Sequence, residues 1–142
     1  MTSNFDIEFL LQNKEHFLGC FPIEKLPPYP IKFPSSLIIC RDNHWVSLQF
    51  INKDLCLYFD SFGEGVCDNM IIKYLKPLYK KVTFNSIKLQ HDDSKTCGLF
   101  CSLFVTLVHN RKDFKYFLKL FDKSNLHNND NVLYHIYTNY IK

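Results

Sequence analysis

The chain has 142 residues, enough for one domain that buries roughly two-thirds of the surface of its unfolded chain. It is 46% hydrophobic and 16% aromatic with only four glycines, which indicates a packed globular core rather than a disordered chain. A net charge of +3, from 17 basic and 14 acidic residues, does not require a nucleic-acid partner.

Six cysteines in a short chain are typical of disulfide-stabilised secreted proteins, or of proteins kept reduced inside the cell. The segment Met1–Asp6 lacks the basic and apolar parts of a secretory signal, and no apolar stretch reaches the ~18 residues that cross a bilayer. We therefore expect an intracellular protein that is neither secreted nor membrane-bound, in which most cysteines are small buried residues.

The first half of the chain predicts one helix followed by strands. The helix spans Ile7–Phe17 with Asp6 as its N-cap, and the proline-rich segment Phe21–Pro34 is predicted to be extended and irregular. Three strands follow, of which the last two form a hairpin around the turn-forming Asn52-Lys53-Asp54: Ser36–Cys40, Trp45–Ile51 and Leu55–Phe59.

The second half of the chain centres on one apolar helix, Cys97–His109, which is apolar on most sides, as is typical of a buried helix. The other predicted elements are a helix over Asn69–Tyr79, a strand over Lys81–Leu89, and helices over Lys112–Phe121 and Val132–Ile141. The pattern predicts a single α+β domain over residues 1–142, with a mostly antiparallel sheet packed on the buried helix.

His44 and Asp60 stand at the open end of the predicted hairpin. A turn centred near Asn52 places them directly opposite each other, where Cβ atoms lie ~4.5–5.5 Å apart. A carboxylate in that position holds an imidazole in one tautomer and stabilises its protonated form. A one-residue slip would put the two side chains on opposite faces of the sheet. The alternative is that both residues merely end strands at a solvent-exposed edge.

Cys97 stands where the polar loop Asp93–Thr96 enters the apolar helix. The thiolate is the nucleophilic form of cysteine, and both the N–H groups of a helix start and a neighbouring imidazolium favour it. Gly98 permits close approach of a substrate backbone. The N–H of Cys97 and the side-chain amide of Gln90 are the predicted donors to a developing oxyanion.

A zinc site is the competing interpretation of these residues. It would combine Cys97 and Cys101 with His91 or His109. Because the sequence has no CxxC pair and structural zinc sites need four well-placed ligands, we expect no metal. Cys101, one helical turn after Cys97, is expected in the core.

Four blocks of sequence carry a resemblance to known proteases. They are His44-Trp45-Val46, the segment Leu57–Gly63, Gln90 seven residues ahead of the cysteine, and Cys97-Gly98-Leu99-Phe100-Cys101. In these blocks the chain resembles adenain, the adenovirus maturation proteinase, and more distantly the SUMO-specific proteases. The resemblance implies the fold that those enzymes share.

The resemblance also implies roles for the matching residues. Those of the catalytic group are Cys97 as nucleophile, His44 as general base and then acid, Asp60 as the residue that orients His44, and Gln90 as oxyanion donor. Trp45 and Gly98 are the implied substrate-binding residues. Adenovirus enzymes carry glutamate in place of Asp60, which follows the SUMO-protease pattern.

The function implied is a thiol endopeptidase that cleaves viral structural precursors next to glycine during virion maturation. Such an enzyme would act in the host nucleus or cytoplasm and in the virion, and we expect a monomer. Adenain is activated by a disulfide-linked viral peptide and by DNA. This chain has no cysteine near Tyr79–Lys81 and a charge of only +3, so the sequence supports neither activator, and no cofactor is expected.

Two other functions remain open from the sequence. An isopeptidase that removes ubiquitin-like modifiers uses the same chemistry but needs a broad surface for a folded modifier. A non-catalytic, virion-associated binding domain could keep the fold and lose the reaction. The basic residues offer only a weak surface for nucleic acid: Lys73, Lys76, Lys80, Lys81 and Lys88.

Overall fold

The structure is a computed structural model that describes residues 4–28, 32–41, 44–64, 69–75, 77, 81–108 and 114–139. Within these residues five strands form one sheet in sequence order: β1 (Phe17–Pro22), β2 (Ser35–Arg41), β3 (His44–Asn52), β4 (Leu55–Phe59) and β5 (Lys81–Phe84). The helices are α1 (Asn4–Leu10), α2 (Asn69–Leu75), α3 (Cys97–Leu107), α4 (Lys115–Leu118) and α5 (His127–Asn139), with a 3₁₀ helix at Ile23–Lys25.

The sheet is mixed. Strands β2, β3 and β4 pair antiparallel, whereas β1 is parallel to β2 and β5 is parallel to β4. The predicted α+β class is therefore confirmed, but the prediction of a mostly antiparallel sheet is wrong. Short turns can only reverse the chain, while the longer connections before β2 and β5 return it to the same end of the sheet.

Strand β1 is the main element that the sequence did not predict. The predicted helix ran to Phe17, but α1 ends at Leu10 and β1 begins at Phe17. Gly19 has a φ of 132° and lies where the register of β1 on β2 shifts, and Pro22 ends the strand. Glycine and proline are uncommon inside strands, so the sequence of this segment does not predict one. The strand is recognised only from its pairing with β2.

Other elements differ from the prediction at their ends. The strand predicted to reach Leu89 ends at Phe84, and the helix predicted from Lys112 is described over Lys115–Leu118. Helix α5 begins at His127 rather than Val132, because its polar first turn is held by tertiary contacts. Three predicted helix ends lie outside the described residues: Tyr79, His109 and Ile141.

Both faces of the sheet are covered by apolar side chains. Helix α3 packs on one face, where Phe59 of β4 stacks on Phe104 at 4.7 Å and meets Phe117 of α4 edge-on at 5.1 Å. Ile71 and Leu75 of α2 pack on the other face. Because Phe59 directly precedes Asp60, this packing places the end of β4 beside α3. No helix in the described ranges is long and apolar enough to cross a membrane.

Candidate active site

A hydrogen bond joins His44 to Asp60. The two residues lie at the start of β3 and directly after β4, and Nε2 of His44 donates to Oδ1 of Asp60 at 2.7 Å. A carboxylate oxygen only accepts, so the proton of this bond belongs to Nε2 and the second ring nitrogen, Nδ1, faces elsewhere. The predicted contact is confirmed.

The predicted register of the hairpin is wrong by two residues. Ser47 pairs with Phe59, so Asp60 lies diagonally across from His44 rather than directly opposite. The register differs because Asn52 pairs with Leu55, which moves the turn along the chain, and a bulge precedes it. A shift of two residues keeps both side chains on one face, so they still meet.

The backbone of Asp60 is fixed by Asn85, which the sequence analysis did not single out. The side chain of Asn85 accepts from the Asp60 N–H at 2.9 Å and donates to the Asp60 carbonyl at 2.6 Å. The Phe62 N–H donates to Oδ1 of Asp60 at 2.9 Å. Asn85 is buried and directly follows β5, but the sequence places it inside the strand predicted over Lys81–Leu89 and gives it no separate signal.

The imidazole of His44 is enclosed and partly shielded from solvent. The Phe62 ring stacks on the imidazole with ring centroids 4.7 Å apart. Nζ of Lys88 lies over the Phe62 ring, 5.4 Å from its centroid. Nδ1 of His44 is buried and has no hydrogen-bond partner of ordinary geometry among the described residues.

The pKa of His44 is raised to about 9. Burial acts to lower it, but the hydrogen bonds and negative charges of Asp60 and of Cys97 outweigh that effect. Because Nε2 is bound to Asp60, Nδ1 is the nitrogen left to face the thiol. Cys97 thus influences the charge of the ring, although Nδ1 makes no hydrogen bond of ordinary geometry within the described ranges.

Cys97 is the first residue of α3 and is 5% exposed. Thr96 precedes the helix, and its side chain does not cap the first turn. The N–H groups at a helix start carry partial positive charge and are open to an anion when no side chain caps them. The start of α3 can therefore receive an oxyanion.

Cys101 lies in the core, as predicted. It is fully buried, and its Sγ donates to the Trp45 carbonyl at 3.3 Å. Burial raises the pKa of this thiol well above its usual value, and the neighbouring Cys97 adds to that rise. A thiol in that state is a poor nucleophile, so Cys101 does not compete with Cys97.

Gln90 lies in the loop before α3 and is almost completely buried. Its Oε1 accepts from the Ser61 hydroxyl at 2.5 Å, and its Nε2 donates to the Ser94 carbonyl at 2.9 Å. The second hydrogen of Nε2 meets no acceptor in the described part of the chain. The amide is thus held at both ends with one donor left over, as an oxyanion donor requires.

The two predicted substrate-binding residues are both buried. Trp45 is 6% exposed and belongs to the apolar cluster that includes Cys97, and Gly98 lies in the first turn of α3. The Gly98 carbonyl accepts from the Ser102 hydroxyl at 2.8 Å. Gly98 directly follows Cys97 and Trp45 directly follows His44, and the contact of both residues with a substrate stays a prediction.

The zinc alternative has no cluster of ligands in the described ranges. No group of three or more His, Cys, Asp or Glu side chains there is placed to hold a metal ion. His91 stacks instead on His127 of α5, with ring centroids 3.6 Å apart. His109 lies outside the described residues.

A solved structure shares the fold. No family model matches this chain, and no curated protein matches it. The central domain of the uncharacterized Lpg1148 protein from Legionella pneumophila is similar over 95% of this chain and 92% of that one, with a TM-score of 0.54. The two sequences are 19% identical, so the likeness concerns the fold alone.

Proposed function

We propose that this chain is a cysteine endopeptidase of the adenain type. The observation that carries the proposal is the partly buried hydrogen bond between His44 and Asp60, together with the thiol of Cys97 that acts on the same imidazole. Three residues from remote parts of the chain supply a nucleophile, a proton carrier and an orienting carboxylate. Structural packing alone has no need for that combination.

The charge state of the pair supports nucleophilic attack at neutral pH. A histidine whose pKa is about 9 is protonated there, so it stabilises a thiolate on Cys97 and holds a proton for the leaving group. Asp60 keeps the ring oriented through Nε2, which leaves Nδ1 to exchange protons at the site.

The proposed reaction has two stages. Sγ of Cys97 attacks the carbonyl carbon, and the oxyanion forms against the Cys97 N–H and the free donor of Gln90. The C–N bond breaks, the amine leaves with the proton from His44, and a thioester remains. Water then attacks the thioester while His44 takes its proton, and the C–S bond breaks to release the acid and regenerate the thiolate.

The substrate class in this proposal comes from the resemblance to adenain. It is a viral structural precursor cleaved next to glycine, inside the infected cell or the virion, by a monomer. The low exposure of Cys97 supports a narrow approach to the sulfur, which favours residues without bulky side chains at the scissile bond. No cofactor takes part in the proposed reaction.

A thiol-directed probe tests the catalytic proposal. A glycine-terminated peptide vinyl sulfone should label Cys97 at neutral pH, and labelling should fall at least about a hundredfold in His44→Ala. Burial raises the pKa of Cys20 to about 12 and also raises that of Cys56, so those thiols should stay unlabelled. The matched control is Cys20→Ala, which should label like the wild type.

Equal labelling of all cysteines, or full labelling in His44→Ala, would favour a non-catalytic domain. A second assay distinguishes the proposed endopeptidase from an isopeptidase that removes ubiquitin-like modifiers. Precursor peptides with glycine at the cleaved bond should be cut, and SUMO or ubiquitin conjugates should stay intact. Rapid release of a modifier would instead assign the chain to the isopeptidases.

A further inference from the structure

The first turn of α5 holds the loop that leads into Cys97. We call this loop, Leu89–Thr96, the nucleophile loop. Nδ2 of Asn129, which is fully buried, donates to the Leu89 carbonyl at 2.8 Å, and His127 stacks on His91. We call these contacts between α5 and the nucleophile loop the clamp. It joins two segments that are more than thirty residues apart in the sequence.

Asp130 makes the strongest part of this clamp. Both of its carboxylate oxygens accept from the Ser94 hydroxyl, at 2.9 and 2.8 Å, and Oδ1 also accepts from the Thr96 hydroxyl at 2.8 Å. The two hydroxyls lie 2.7 Å apart, so one carboxylate organises both. Hydrogen bonds to an ionised acceptor are roughly twice as strong as neutral ones.

The start of α3 has no side-chain cap from the described residues. Thr96 occupies the capping position, where a hydroxyl ordinarily accepts from an N–H of the first turn. Here the hydroxyl donates to Asp130 and makes no capping hydrogen bond. A capping hydroxyl would accept from the Gly98 or Leu99 N–H, so the Cys97 N–H that the proposed oxyanion needs is open in either case.

Asp130 is also linked to the second oxyanion donor. Ser94, whose hydroxyl Asp130 fixes, accepts from Nε2 of Gln90 through its backbone carbonyl. If Ser94 moves, the amide of Gln90 loses the contact that sets its orientation. A displacement of about 1 Å at such a group can cost about a hundredfold in rate.

We propose that Asp130 is a positioning residue that, through Ser94, orients the Gln90 amide for the oxyanion. The inference deepens the proposed protease function and rests on it for its kinetic consequence. Asp130 touches no reacting atom, so its effect is confined to the stabilisation of the transition state.

Kinetics of three variants test the inference. Asp130→Leu should lower kcat about ten- to a hundredfold and change KM by less than about threefold, because an oxyanion donor acts mainly in the transition state. Asp130→Asn should recover most of kcat, since its amide can accept from Thr96 and donate to Ser94. The control Asp93→Asn removes an exposed carboxylate from the same loop and should leave kcat unchanged.

A double-mutant comparison separates positioning from general damage. In a Gln90→Ala background, Asp130→Leu should lower kcat by a much smaller factor than in the wild type, because the amide that it orients is gone. An equal factor in both backgrounds would overturn the inference. If Asp130→Leu does not fold, the pair Ser94→Ala and Thr96→Val removes the same hydrogen bonds and takes its place.

A readout without turnover keeps this test distinct from the function itself. The side-chain amide protons of Gln90 should exchange slowly with solvent in the wild type and in Asp93→Asn, and at least about tenfold faster in Asp130→Leu. Unchanged exchange would overturn the positioning role even in an active protease. Faster exchange in a protein that cleaves no peptide would support the positioning and refute the protease.

Discussion

The hydroxyl of Ser61 donates to the side-chain carbonyl of Gln90 at 2.5 Å, and Ser61 is the residue directly after Asp60. The Ser61 carbonyl in turn accepts from the N–H groups of Leu89 and Gln90 at 2.8 and 3.0 Å. The acidic residue and the amide of the site are thus parts of one hydrogen-bonded unit. The backbone contacts fix the separation of the two chain segments, and the Ser61 hydroxyl holds the amide of Gln90.

Gln90→Ala should lower kcat by about a hundred- to a thousandfold while KM stays within about threefold. The amide is held in place before substrate binds, and its free donor acts on charge that develops in the transition state. Steady-state hydrolysis of a glycine-containing peptide measures this. Alkylation of Cys97 by iodoacetamide needs no oxyanion donor and serves as the control. An unchanged kcat would remove Gln90 from the site.

Asp60→Asn should lower the pKa of His44 below its value of about 9. Burial already acts to lower this pKa, and the substitution removes the charge of Asp60, one of the groups that oppose burial. Titration of the His44 ring protons by NMR gives the midpoint directly. The control is Asp92→Asn, which removes an exposed carboxylate from the nucleophile loop. Equal titration midpoints in both variants and the wild type would show that Asp60 does not raise the pKa of His44.

The free energy of unfolding should contain a pH-dependent part due to His44. Its pKa is about 9 in the folded chain and about 6.5 in the unfolded one, so folding favours the protonated ring. The contribution is complete below pH 6.5 and is lost as the pH rises through 9. It amounts to roughly 2–3 kcal/mol, an upper value because the ring is about one-quarter exposed.

Urea unfolding at pH 6 and pH 9.5 measures this contribution. The wild type should exceed His44→Gln in stability by more at pH 6 than at pH 9.5. Because other titrating groups are common to both proteins, the difference between them isolates His44. An equal difference in stability between the two proteins at both pH values would refute the raised pKa of His44.

Gly63→Ala should destabilise the fold by roughly 2–3 kcal/mol. Gly63 has a φ of 71°, and a Cβ there would lie 2.8 Å from backbone atoms of Ile87 and Lys88. Its N–H donates to the Asp60 carbonyl, so the strain would act on the turn that carries Phe62 against His44. Thermal unfolding measures the loss, with Gly19→Ala as a comparison that meets only the Phe21 ring. An unchanged Tm would show that the turn relaxes.

Local sequence patterns were sufficient for the elements that lie at the centre of the fold. Strand β4 has the predicted bounds, and α3 begins at the predicted residue, because a continuous apolar run and a turn-forming cluster are each readable within a few residues. The meeting of His44 with Asp60 followed from the same hairpin. The register of the hairpin could not be predicted in the same way, since a pattern of alternating residues does not show where a bulge occurs.

The sequence by itself therefore determined the α+β class, the central hairpin, the buried helix and the position of Cys97 at its start. Only the tertiary structure decided the parallel pairing of β1 and β5, the anchoring of Asp60 by Asn85, and the clamp of Asp130 on Ser94 and Thr96. Each of these joins segments that are far apart along the chain. Propensity and periodicity report on neighbours in sequence, whereas such partners are chosen by the packing of the whole core.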